Sequence, residues 1–400
     1  MIPYGHHYID EDDIQAVVDV LRNGALTQGT KVSAFEHDIA NYVGAKYAVA
    51  VSSGTAALHI ACLAADIGPG DEVFTTPNTF VASANCALYV GARPRFADID
   101  PKTLNLDPED LERRIRIAKN VRAIIPVHFA GLPCDMVRIR EIADACGPVV
   151  IEDASHALGA QYADGSRVGN CRFSEMTVFS FHPVKGVTSG EGGMVTTNDE
   201  RLFQRLLKLR SHGICKGNFD FPGISVADDT LKKPECALED GELRPWYYEM
   251  QELGFNYRIT DIQCALASSQ LKKISSFLQR RNEVVRVYDE AFESLGGVQR
   301  PQMEGRERSS HHLYVLRIDF HGMGLSRHRL MKQLFGRGVG SQVHYIPVPM
   351  HPYYEQLGFR LHDYPEAERY YREALTLPIY YDLGVKDQEL VIESVHSLLK

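Results

Sequence analysis

The stretch Phe179-Ser180-Phe181-His182-Pro183-Val184-Lys185-Gly186-Val187-Thr188-Ser189-Gly190-Glu191-Gly192-Gly193-Met194-Val195 decides how the rest of the chain is read. A β-favouring run, 177–181, ends in a turn that presents Lys185, and a glycine-rich segment then leads into a second apolar run, 194–197. A lysine in such a turn has little packing to do. Its amine can act as a nucleophile toward a carbonyl if its pKa is lowered and it is held in place. Taken alone, it is a solvated loop lysine. The surrounding chain has to decide.

Upstream, short apolar runs over 47–51, 72–75, 93–97, 123–127 and 149–152 alternate with helical patterns over 56–65, 80–90, 108–116 and 137–146. That alternation predicts an α/β fold with a mainly parallel sheet covered on both faces. Ligands of such sheets collect at the carboxyl ends of the strands, so the turns there are the places to look for chemistry. In one, Ser52-Ser53-Gly54-Thr55-Ala56 passes from strand to helix. Its free amides, helix dipole and hydroxyls suit a phosphate, although an ordinary Ser/Thr cap reads the same way. In another, Asp153 closes a buried strand, where a carboxylate needs a cation or several donors. Phe80 follows Thr79 in a third, with core packing as its plain alternative.

Before these runs, two helical patterns within 10–43 are separated by the polar turn Leu26-Thr27-Gln28-Gly29. After them comes a helix over 201–209, then a long irregular segment, 213–248, of mixed charge. Irregular segments of that length are functional or mobile elements. Helices over 261–272 and 274–295 lead to a strand over 314–320, a helix over 327–335, an extended His/Tyr-rich stretch over 340–349 and a helix over 365–375. We expect residues 1-250 to form an N-terminal arm and large domain, and 251-400 linker helices and a smaller α+β domain.

Composition narrows the function classes. The chain has 400 residues, 44% hydrophobic and 24% charged, with a formal charge of -9 and no basic block, which argues against nucleic acid as a partner. No apolar run is long enough to span a bilayer, and the N-terminus lacks a signal-peptide pattern. Eight cysteines, scattered singly, fit reduced thiols of a cytoplasmic protein better than disulfides or a metal site.

A phosphate cradle, a strand-end Asp, an aromatic and a turn lysine on one sheet edge are together what pyridoxal 5'-phosphate requires. The segments 52–58, 152–156, 180–185, 190–193 and 254–258 together resemble the DegT family of sugar-nucleotide aminotransferases, within the fold-type I (aspartate aminotransferase-like) pyridoxal-phosphate enzymes. Segments 9–17 and 245–254 are similar to the branch that aminates the 4-keto group of a UDP-linked 6-deoxy-N-acetylhexosamine in pseudaminic acid biosynthesis. The resemblance implies that Lys185 is the Schiff-base lysine and proton carrier, that Asp153 pairs with the ring nitrogen and that His156 lies by the ring or its hydroxyl. Phe80 would stack on the ring, and Ser53, Gly54, Thr55, Ala56 and Ser180 would hold the phosphate together with Asn256 from the neighbouring subunit of a homodimer. Candidate substrate contacts are Thr27, Gln28, His182, Trp246, Tyr257, His344 and Tyr345, with L-glutamate as amino donor and a nucleotide-linked keto sugar as acceptor. Two other readings are weighed. Family members that remove a sugar hydroxyl replace the lysine by histidine, so Lys185 argues against that chemistry. A non-catalytic regulator with the same fold would not need both Lys185 and Asp153.

Overall fold

A computed structural model describes residues 1–215, 238–239 and 242–399, so most of the expected 213–248 loop lies outside the described residues. Helices α1 (Glu11–Asn23) and α2 (Thr30–Val43) precede a sheet of seven strands. These are β1 (Tyr47–Val51), β2 (Glu72–Thr75), β3 (Arg93–Phe96), β4 (Val121–Ile125), β5 (Val149–Asp153), β6 (Met176–Ser180) and β7 (Gly193–Thr197), in the order β1-β7-β6-β5-β4-β2-β3. Strands β2 to β6 pair in parallel, while β7 runs antiparallel to both β1 and β6. The turn from β6 into β7 contains no helix to carry the chain back across the sheet, so β7 returns antiparallel as a hairpin arm. Because β7 reverses direction twice over, β1 still points the same way as β6, and their carboxyl ends share one edge with those of β2, β4 and β5.

Strands β5, β6 and β7 are buried on both faces, which is why their runs do not alternate apolar with exposed polar residues, whereas β3 at the sheet edge exposes Arg93. Ala50, Ile124, Val150, Phe179 and Met194 face α2, α5 (Pro108–Ile115), α6 (Met136–Cys146) and α8 (Asp261–Lys272). The intervening residues Val49, Ile125, Ile151, Val178 and Val195 face α3 (Gly54–Ala64), α4 (Ala82–Tyr89) and α7 (Glu200–Arg210). The turn between α1 and α2 is tied to α8 by Asp261, whose carboxylate accepts from the amides of Gly29 at 2.8 Å and Lys31 at 2.9 Å.

Helix α9 (Ile274–Phe292) leads to a second, three-stranded antiparallel sheet of Val298–Gln299, Tyr314–Ile318 and Ala374–Leu377. Tyr288, Phe292, Tyr314, Leu316, Leu334, Leu377 and Val395 build its core. Three expectations shift here. The helix expected over 365–375 ends at Glu373, and Ala374–Leu377 becomes a strand, its Thr376 buried and paired with Gln342. Pro378 follows and disfavours helix in the residue before it. The helix expected over 80–90 begins at Ala82, leaving Phe80 and Val81 in the turn. A C-terminal helix, Val385–Leu399, was not expected at all. No helix among the described residues is long and apolar enough to cross a membrane.

Candidate active site

The turn after β1 is shaped by its cap. Ser53 is extended, and its hydroxyl accepts from the Ala56 amide at 3.1 Å, closing the first turn of α3. The amides of Gly54 and Thr55 donate to no group among the described residues, and they stand at the positive end of the helix. Gly54 is required there by space. A Cβ on it would lie 2.9 Å from Cβ of Ser180, at the end of β6, so the helix start and the Ser180 hydroxyl share one narrow cradle.

Asp153 ends β5 and is buried. One oxygen accepts from the Ser83 hydroxyl at 2.6 Å, and the other from the Ser155 amide at 3.1 Å. Ser83 spends its proton on Asp153, so Thr79, 2.8 Å from the same oxygen, donates to it in turn. The neighbouring Glu152, on the opposite face of β5, is wholly buried in a polar network. It accepts from His128 Nε2 at 2.7 Å, from the Tyr162 hydroxyl at 2.7 Å, and from Ser174 and Thr177. The Cys134 amide donates to His128 Nδ1, which leaves the ring proton on Nε2, toward Glu152. The end of the strand that presents Asp153 is therefore fixed from behind.

Lys185 sits partly buried at the tip of the β6–β7 hairpin, which is closed by bonds between Phe181 and both Ser189 and Gly192. Burial lowers its amine from an ordinary 10.5 to about 8, with the Asp153 carboxylate pulling the other way. Next to it lie three neutral imidazoles. His156 is held well below the ordinary histidine range by burial, then by the charge of Lys185. His312, whose ring is 4.3 Å from that of His156, is shifted the same way, again by burial first. His344 falls to about 4 through burial and Lys185, with its Nδ1 2.9 Å from the Thr376 hydroxyl. The Tyr345 hydroxyl lies 3.0 Å from His156 Nε2, and Phe80, 58% exposed, stands with its ring 6.2 Å from that of Tyr345.

The remaining candidates lie elsewhere in the single chain. Gln28, with a positive φ, lines a separate cavity beside Glu36, Arg210 and Arg258, and Thr27 pairs with Thr260 at the head of α8. Tyr257 turns its hydroxyl to His59 at 3.1 Å, and its carbonyl accepts from Ser52. Asn256 is exposed beside Ser211, and Trp246 is 66% exposed with the Arg244 guanidinium over its ring. His182 is exposed on the lysine hairpin. Sequence reasoning missed Ser83, His312 and Arg281, all of which border the site.

The sequence profile of the DegT/DnrJ/EryC1/StrS aminotransferase family matches residues 7–396. The chain belongs to that family. This aminotransferase is 38% identical to the spore coat polysaccharide biosynthesis protein SpsC of Bacillus subtilis, over 100% of this chain and 97% of the relative. It is 36% identical to the UDP-4-amino-4,6-dideoxy-N-acetyl-beta-L-altrosamine transaminase of Campylobacter jejuni, over 100% and 98%. Among solved structures it superposes on Helicobacter pylori PseC, an aminotransferase of pseudoaminic acid biosynthesis, with a TM-score of 0.87 at 30% identity, covering 100% of this chain and 99% of that one. A putative sugar aminotransferase from Streptococcus pneumoniae in its PLP form gives 0.86 at 29% identity, covering 100% and 98%. The architecture is that of the fold-type I enzymes, and the aminotransferase depends on pyridoxal phosphate.

The residues fit that cofactor. The Gly54–Ser180 cradle with two free amides matches a phosphate, and the buried Asp153 matches a protonated ring nitrogen. His156 Nδ1 is buried without a partner, a vacancy in the hydrogen bonding that a ring oxygen would fill.

Proposed function

We propose that this aminotransferase of nucleotide-linked keto sugars takes its amino group from L-glutamate. It would deliver that group to the 4-keto carbon of a UDP-linked, N-acetylated 6-deoxy hexose, working as a homodimer. The observation that carries the reaction type is Lys185, whose amine is brought to about 8 in a pocket facing Asp153. An amine in that range is part neutral and part charged at working pH, so it can both accept and return a proton. When bound, pyridoxal phosphate supplies an electron sink for the carbon that loses or gains nitrogen.

The chain's own residues do the rest. The α3 amides and Ser180 would hold the phosphate, and Asp153, fixed by Ser83 and Ser155, would keep the ring nitrogen protonated. His156 and Tyr345 would set the ring's hydroxyl side, Phe80 would cover its open face, and Lys185 would carry the proton between substrate carbon and cofactor. Asn256, Thr27, Gln28 and Trp246 stand outside the pocket of their own chain, which suits residues that complete a partner's site. The choice of UDP and of an N-acetylated sugar is supported by similarity to the Campylobacter jejuni transaminase.

The test runs the reaction in reverse. Purified protein is given UDP-, dTDP- and GDP-linked 4-amino-6-deoxy sugars with 2-oxoglutarate, and glutamate formation is measured. Turnover confined to UDP-linked N-acetylated sugars is the expected result. Preference for a dTDP- or GDP-linked sugar would overturn the substrate assignment and leave the aminotransferase standing.

A further inference from the structure

His156 follows Asp153 by three residues in the large domain, yet its hydrogen bonds come from elsewhere. Asp153 is held by Ser83 and Ser155, both of its own domain. Among the described residues His156 bonds to two groups, and both lie in the smaller C-terminal domain. The Ser310 hydroxyl donates to its carbonyl at 2.6 Å, and the Tyr345 hydroxyl stands 3.0 Å from Nε2. The His312 ring, 4.3 Å away, adds a third contact from the same side.

The segment that carries Ser310 is itself locked. Ala130 and Gly131 of the large domain and His311 of the C-terminal domain all have positive φ, and the two tight turns interlock. The Ser310 amide donates to the Gly131 carbonyl at 3.1 Å, and the His312 amide to the Ala130 carbonyl at 2.9 Å. Gly131 is required by space, since a Cβ there would collide with the Ser310 hydroxyl and stand 3.1 Å from the His156 carbonyl. From behind, the buried Arg281 of α9 donates to the carbonyls of His311, His312 and Ile379 at 3.2, 3.3 and 3.3 Å. Other bonds seat the domain as a whole. Asp98 accepts from the amides of Glu366 and Ala367, each at 2.9 Å, in the first turn of the helix Pro365–Glu373. The Tyr354 hydroxyl donates to Asn85 at 2.6 Å.

We propose that Ser310 is a positioning residue for pyridoxal phosphate, acting through His156. The inference rests on the reading that Nδ1 of His156 meets the cofactor's ring oxygen. Ser310 fixes the backbone of His156, and Tyr345 fixes how the imidazole turns about it. The ring nitrogen would then be served by a residue that the large domain holds, and the ring oxygen by one that the C-terminal domain holds. A displacement of the C-terminal domain would reach the cofactor through this one imidazole. A donor favours the anionic form of the oxygen it serves, so the displacement would change the cofactor's protonation.

The test follows the holoenzyme's absorbance against pH in wild type, Ser310→Ala, His156→Ala and the double variant, with Tyr354→Phe as control. Tyr354→Phe also removes a bond between the domains, but one that does not touch His156. In Ser310→Ala the absorbance midpoint should rise by about half a unit to one unit, the scale of one weakened buried hydrogen bond. Cofactor loss on dilution should become about fivefold easier. Ser310→Cys, which keeps the shape and weakens the donor, should shift the midpoint the same way and less, and it serves if the alanine variant does not fold. His156→Ala should move the midpoint at least as far, and adding Ser310→Ala to it should change nothing more. Tyr354→Phe should lower the melting temperature and leave the midpoint in place. A midpoint unmoved by loss of the Ser310 hydroxyl, one moved equally by Tyr354→Phe, or additive shifts in the double variant would overturn the proposal and leave Ser310 as a domain contact. A midpoint unmoved in His156→Ala would instead sink the placement of His156 at the ring oxygen, and the inference with it.

Discussion

The Tyr345 hydroxyl stands 3.0 Å from Nε2 of His156, while Nδ1 of the same ring is buried without a partner. His156 is neutral, so a phenol donating to Nε2 leaves the ring proton on Nδ1, pointing to where a cofactor oxygen would accept it. From sequence, Tyr345 is a candidate substrate contact; in the structure it stands against His156 and near Phe80, beside the lysine pocket. Tyr345→Phe should therefore slow both half-reactions, by about tenfold for one lost buried hydrogen bond. Trp246→Ala should slow the sugar half-reaction alone. Stopped-flow absorbance of each half checks both, and a Tyr345→Phe effect confined to the sugar half would make that residue a contact of the sugar substrate alone.

Lys185→Ala should fold and turn nothing over. The wild-type apoprotein offers a sharper measurement, because its lysine titrates near 8 rather than 10.5. The free amine fraction rises with pH through that value, so the rate of pyridoxal phosphate recapture should climb with a midpoint of about 8 and level off above it. Between 8 and 10.5 the unfolded chain holds a proton that the native lysine has released, so this group adds stability as pH rises. A recapture midpoint near 10.5 would mean that Lys185 is an ordinary solvated lysine.

Asp153→Asn should cost two to three orders of magnitude in the glutamate half-reaction, as about 10²–10³ is usual for losing one preorganised charge or donor. Ser83→Ala removes the 2.6 Å donor to that carboxylate and should cost about tenfold, with the cofactor's absorbance titration displaced toward its form in free solution. Near-normal rates in Asp153→Asn would reduce that residue to a structural role at the strand end.

Glu152→Ala strands His128, Tyr162, Ser174 and Thr177 in the interior. The loss should be about 3–5 kcal/mol, the cost of removing one partner of a buried network. Urea denaturation of the apoprotein should show a clearly lower midpoint. An unchanged midpoint would show that water or rearranged side chains replace the carboxylate.

The large sheet was legible because its strands and helices alternate in the sequence, and the lysine hairpin because glycines punctuate it. The small domain was harder. Val298–Gln299 is too short to show a period, and Ala374–Leu377 reads as the tail of a helix until Pro378 is weighed. Ser83 had a faint signal, three residues past Phe80 on the first turn of α4. Arg281 had a stronger one, a charge standing inside the apolar stripe of a long helix, where burial demands a reason. His312 had none, since its position depends on how the second sheet meets the first.

Val51, Gly193 and Ser180 lie abreast at the ends of three adjacent strands, and a Cβ on Gly193 would meet the Ser53 carbonyl at 2.3 Å. The hairpin that carries Lys185 and the helix start that would grip the phosphate are thus welded side by side and can be altered only together. For anyone retooling this scaffold toward another sugar, the welded half is a chassis to leave alone. Variation belongs in the separate turn at residues 26–29, which lines its own cavity away from Lys185, where a changed side chain leaves the lysine pocket untouched.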